Sequence, residues 1–267
     1  MISAATSSTE QSTLKSTTAC ERRNLSDGMV SLTRVTGTRM TSRTSVGLTR
    51  RALIQLGVAL ATVCRPGGRA AATTRRLLYL QPLGGELPAQ DVELVRQGLT
   101  ELIGMETRLL SRVALPAAAF YPPRRRYRAE KLLDFLDGRM PSDGARILGL
   151  TAVDISTTKG RFVDWGLLGL GRLGGASSVI SEFRCRMKSP GPANARQRLA
   201  KVAVHEAGHT LGLAHCPTDG CLMEDAEGQV ATCDREYDFC PRCRGVLAAG
   251  GQPLPSSPRI PWPRPPI

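Results

Sequence analysis

VAVHEAGHTLGLAHCPTDGCLM, residues 202–223, contains all three histidines of a 267-residue chain, His205, His209 and His215. On an α-helix, residues four apart differ by about 40° of rotation. His205 and His209 therefore project from one face, stacked one turn apart. Two imidazoles so placed can converge on one zinc ion. Glu206 points away from the pair, yet its carboxylate can reach a water in the metal's open position and act as general base. A third ligand must come from beyond the helix, because the next helical turn points past the metal. Gly212 can leave the right-handed helical region without strain, so the chain can turn back there and present His215. The alternative is an ordinary buried helix whose histidines are satisfied by hydrogen bonds.

The cysteines extend the pattern. Cys216 directly follows the third histidine, Cys221 comes after four intervening residues, and Cys240 and Cys243 form a Cys-x-x-Cys pair. Two short-spaced pairs separated by a loop are the layout of a tetrahedral structural zinc site. Adjacent side chains diverge in an extended segment, so His215 can face one metal while Cys216 faces a second. The alternative is two disulfides, which an extracellular location permits. Cys233 competes for the same site, and Cys20, Cys64 and Cys185 are scattered.

The run from His205 to Cys243 resembles the archaemetzincins, a branch of the metzincin zinc peptidases. Their signature, HExxHxxGxxxCx4CxM followed after about seventeen residues by CxxC, is matched here by His205, Glu206, His209, Gly212, Cys216, Cys221, Met223, Cys240 and Cys243. His215 takes the usual third-ligand position. Sixteen residues separate Met223 from Cys240, one fewer than the pattern. YPPRRRYRAEKLL, RILGLTAVDIS and DWGLLGLG also look like the family's N-terminal region, so the likeness spans roughly residues 75–247. It implies that Met223 is the Met-turn residue beneath the catalytic metal, where spacing alone allows simple core filler. It also implies that GLGRLGGASSVIS (169–181) supplies an edge strand above the cleft that pairs with an extended peptide. Read without the likeness, those glycines are turn formers.

The remaining sequence sets the frame. A formal charge of +13 raises a nucleic-acid reading, but residues 1–74 carry ten Lys/Arg against three Asp/Glu. Residues 75–249 hold 24 basic and 20 acidic residues, and no aromatic platform interleaves with the basic ones. No nucleic-acid partner is expected. Residues 1–72 are Ser/Thr/Arg-rich. Arg50 and Arg51 precede an apolar run, Ala52–Val63, too short for a bilayer core of roughly 17–25 residues. Ala70-Ala71-Ala72 follows, as in a twin-arginine export signal. Read from Met40 the segment has the length of an ordinary bacterial signal. It predicts an exported, periplasmic or extracellular protein without stable membrane insertion after processing; the alternative is a basic arm on a cytoplasmic protein.

By the same resemblance, residues 73–249 are expected to form an archaemetzincin-like metallopeptidase domain. RRLLYLQPLGG (75–85) reads as a buried strand ended by Pro82, Ala89–Ile103 as a helix, and METRLLSRVAL (105–115) as a strand. RAEKLLDFLDG (128–138) reads as an amphipathic helix, ARILGLTAVDIS (145–156) and ASSVISEFRC (176–185) as strands. A long helix runs from Asn194, its N-cap, to Leu211. Residues 250–267 are proline-rich and expected to be extended or disordered. The fold class is α+β: a mixed twisted sheet with packed helices, zincin-like by resemblance, and a small irregular C-terminal subdomain with a structural zinc. The function expected is a zinc-dependent peptidase acting on peptide or protein substrates, with two zinc ions per chain, one catalytic and one structural. The alternative is a zincin-like module that binds zinc and peptide but turns over poorly.

Overall fold

A computed structural model of the chain describes residues 77–265. The leader, its twin-arginine segment and the Met40 start fall outside the described residues.

The chain enters at β1 (Leu77–Leu83), followed by α1 (Ala89–Gly98), which continues as a π-helical turn over Leu99–Ile103, and by β2 (Glu106–Leu109). Short strands β3 (Phe120–Tyr121) and β4 (Arg126–Arg128) lead into α2 (Ala129–Asp137). Next come β5 (Arg146–Thr151), β6 (Ile155–Lys159), β7 (Phe162–Leu167), β8 (Gly169–Gly171) and β9 (Ser177–Ser181). The C-terminal half holds α3 (Glu182–Cys185), α4 (Pro192–Thr210), α5 (Thr232–Arg235) and α6 (Pro241–Ala249).

Five strands form the main sheet in the order β2-β1-β5-β9-β8. All neighbours are parallel except β8, which runs antiparallel to β9 on the outer edge. Parallel strands need cover on both faces, and β1 supplies it by alternation. Leu78 and Leu80 join α1 and α4 in one core with Leu148, Leu150 and Ile180. Leu77 and Tyr79 join α2 in a second core with Ile147 and Val179. The four-stranded sheet β3-β4-β6-β7 stands beside it, held by Arg126, which bridges Asp154 at 2.7 Å and Asp164 at 3.0 Å.

Five local expectations change. Pro82 does not end β1, which runs on to Leu83. Having no N–H, Pro82 instead disturbs pairing with the next strand, and the buried Gln81 side chain donates to the Ser111 carbonyl at 2.8 Å. METRLLSRVAL therefore pairs regularly only over Glu106–Leu109. ARILGLTAVDIS divides between β5 and β6, which belong to different sheets. ASSVISEFRC turns from strand to helix at Ser181, whose hydroxyl accepts from the Phe183 N–H at 3.2 Å. Finally, α4 begins at Pro192, a first-turn position where proline loses no hydrogen bond. Asn194 instead donates its side-chain amide to Asp234 at 2.8 Å.

Residues 250–265 are extended and packed against the domain rather than disordered. Trp262 is buried, and its indole N–H donates to the Tyr237 carbonyl at 3.0 Å. Gln252 donates to the Ile103 carbonyl at 2.7 Å. The apolar indole among prolines is what fastens the strap, and composition alone hid it.

Candidate metal centre and active site

Helix α4 crosses behind the main sheet and delivers His205, Glu206 and His209 to a cleft of about 780 Å³ bounded on one side by β8. Gly212, at φ +93°, turns the chain immediately beyond it. His215 then comes back against the other two rings, with centroids 5.4 Å from His205 and 4.8 Å from His209. The candidate ligand atoms of the three histidines lie within 4.8 Å of one another.

Hydrogen bonds to the ring nitrogens fix the tautomers. His205 Nδ1 donates to the Leu222 carbonyl and His209 Nδ1 to the Leu213 carbonyl, each at 2.7 Å. A carbonyl only accepts, so both Nδ1 atoms carry the proton and both Nε2 atoms keep a free lone pair. His215 Nδ1 lies 3.4 Å from Asp225 Oδ2. Burial, reinforced by His209, pushes His205 down to about 3; burial also lowers His209. Neutral imidazoles with outward Nε2 atoms are the donor set zinc requires, so these residues fit a metal.

Glu206 is buried and faces β8, where a Cβ on Gly169 would lie 2.6 Å from its Cγ. Burial pushes its carboxyl up to about 8, the Gly171 amide opposes this, and Glu236 adds to it. Met223 is fully buried, and its sulfur packs against Gly208, next to His209 on α4. Its carbonyl accepts the Cys216 N–H at 2.7 Å, which pins the strand carrying His215 to the one carrying Met223.

Cys216, Cys221, Cys240 and Cys243 form a second cluster, their sulfurs within 4.8 Å of one another. Cys216 and Cys240 are 3.6 Å apart, Cys221 and Cys243 3.8 Å. Sulfurs bound at about 2.3 Å to one tetrahedral zinc stand about 3.8 Å from each other, whereas a disulfide needs about 2.05 Å. The separations fit the metal. Burial raises the Cys240 thiol, but hydrogen bonds from the Cys243 backbone and the neighbouring thiols outweigh it and hold it down to about 6. Burial pushes Cys221 up to about 11. Cys233 and Cys185 are buried outside this cluster, and burial raises both thiols. Two cleft residues had no signal in the sequence: Asp225, in a loop without periodicity, and Glu236, whose burial only the fold reveals.

The model for peptidase family M54 matches residues 89–248. The archaemetzincin of Haloarcula marismortui is 33% identical over 171 residues, covering 61% of this chain and 95% of the relative. That of Methanopyrus kandleri is 32% identical over 172 residues, covering 64% and 94%. The crystal structure of the Methanopyrus kandleri archaemetzincin superimposes with a TM-score of 0.59 at 30% identity, over 69% of this chain and 99% of that one. The Archaeoglobus fulgidus archaemetzincin, solved with malonate, gives 0.53 at 30% identity, over 64% and 99%. The mixed α/β fold is thus the one seen in archaemetzincin structures, and the likeness read from HExxHxxGxxH and its cysteines extends through the described sheet and helices. The chain belongs to peptidase family M54, the archaemetzincins, and is a zinc metallopeptidase.

Proposed function

We propose that the chain hydrolyses peptide bonds with His205, His209 and His215 holding the catalytic zinc and Glu206 as general base. The observation that carries this reading is the convergence of three imidazoles, two with Nδ1 committed to backbone carbonyls, beside a buried carboxyl group. Bound zinc supplies Lewis acidity: it draws a water's pKa towards neutrality, polarises a peptide carbonyl and favours the ionised form of a nearby acid. Glu206 takes the proton of the attacking water and passes it to the departing amine. Gly169, Leu170 and Gly171 line the cleft on the outer edge of the main sheet, and an extended substrate adds there as a further strand. Met223 supports the helix from below through Gly208.

Cys216, Cys221, Cys240 and Cys243 hold a second, structural zinc, which gives two per chain. The twin-arginine segment supports export of a chain already folded and metal-loaded, to the periplasm or beyond. Among the described residues, no helix is long and apolar enough to cross a membrane.

Metal analysis of the purified chain tests both centres, with two zinc ions expected. Glu206→Gln should retain both and lose about 10²–10⁴-fold in peptide hydrolysis. Cleavage by that variant at the parent's rate rejects the general base, and one zinc per chain rejects the second centre.

A further inference from the structure

The cleft continues beyond Glu206 towards the N-terminal side of α4, where Val202, Cys233 and Glu236 join its wall. Glu236 is 2% exposed. Carboxylates buried this deeply are ordinarily paired or hydrogen-bonded. Here the nearby arginines are ion-paired elsewhere, and Lys201 acts on Glu236 without bonding to it. Lys201 donates Nζ to the Cys233 carbonyl at 2.8 Å and stands 5.9 Å over the Trp262 ring. Arg235 is bound to Glu224, and Arg198 to Asp234 at 2.6 Å. Arg184, also on the cleft wall, is held by Asp154 at 2.8 Å. Among the described residues, no ion pair or hydrogen bond reaches the Glu236 carboxylate.

Burial pushes this carboxyl up to about 8, against the attraction of Lys201. Its charged form is costly until a ligand brings a compensating charge into the same low-dielectric space. A positively charged group does so and donates hydrogen bonds as well, whereas a neutral donor leaves the desolvated charge unbalanced.

We infer that Glu236 is a specificity-determining residue that accepts a cationic group of the peptide substrate in this arm of the cleft. That cation is either a lysine or arginine side chain or the peptide's own α-ammonium group. The inference rests on the peptidase reading of the adjoining site. It also bears on the mode of cleavage: an α-ammonium in this arm makes the enzyme an aminopeptidase, a side chain makes it an endopeptidase selective for basic residues.

The test is a binding measurement on zinc-loaded Glu206→Gln protein by fluorescence anisotropy. The probes are C-terminally labelled alanine peptides carrying one lysine, or the uncharged norleucine, at each position in turn, every one with a free and with an acetylated N-terminus. Lysine at one position binding on the order of tenfold or more tighter than norleucine, with or without acetylation, identifies a side-chain cation. Loss of that same factor on acetylation, wherever the lysine lies, identifies the α-ammonium. Either preference should fall to near unity when Glu236→Gln is added and be largely restored by Glu236→Asp. No preference in the starting protein, or one that survives Glu236→Gln, overturns the inference. Cleavage of the same peptides by the parent reports separately on the peptidase reading. If Glu206→Gln itself cleaves, relative rates across the peptide set still read the preference.

Discussion

Gly171 passes so close to Glu206 that a Cβ at position 171 would stand 2.5 Å from the Glu206 carbonyl oxygen and 3.1 Å from the His209 Cβ. The edge strand and the active-site helix are therefore spaced by the absence of a side chain. Gly171→Ala must push β8 away from α4, and with it the surface on which the substrate lies. We expect a stability loss of about 1–3 kcal/mol and a fall in kcat/KM of about 10²-fold, since a displacement near 1 Å suffices. Parent-like kinetics would show that β8 does not set the substrate's position.

His215 differs from its two partners in what steadies its ring. His205 and His209 use backbone carbonyls, whereas His215 faces the Asp225 carboxylate, itself held by the Glu227 N–H at 2.9 Å. Asp225→Asn should weaken zinc binding about 10–100-fold. Competition with a chromogenic chelator reads this directly, and an affinity within a factor of about two of the parent's discounts the contact.

Glu236 gives stability a pH dependence of predictable sign. Its folded value, about 8, lies above the ordinary 4.5. The group's contribution is therefore fully present below the ordinary value and is lost as pH rises through about 8. Glu236→Gln removes that loss. The Tm of the variant relative to the parent should climb by at least about 3 °C from about pH 5 to about pH 9. A difference that stays flat or falls contradicts the burial argument.

Trp262 closes the back of the first core, its ring against Gly98 and in the same cluster as Val204. Trp262→Ala should cost about 3–5 kcal/mol in chemical denaturation. A loss below about 1 kcal/mol would mean that the proline-rich strap is dispensable.

The convergence of the three histidines was legible because its grammar is local. A four-residue helical spacing, a glycine able to take φ +93° and a histidine three residues on are all fixed by backbone geometry. β1 and α2 were legible from their apolar runs. What escaped depends on contacts between distant segments. Nothing at Ser181 announces that the strand converts to helix there, and the Gln81 side chain stands in for a missing N–H only because Ser111 lies opposite. Asp225 and Glu236 are ordinary acidic residues in loops until the fold carries one to an imidazole and buries the other. Trp262 was lost in a composition typical of linkers, although a lone indole there was the available clue.

His215 and Cys216 are consecutive residues, yet one belongs to the imidazole trio and the other to the thiol quartet. A single peptide link joins the two centres, so the junction has no slack. An inserted residue would throw one side chain to the wrong side of the chain and dismantle whichever centre lost it. The loop beyond Glu227 carries no member of either cluster before Cys240. Length variation among functional homologues should therefore gather in that loop and stay out of the His215–Cys216 junction.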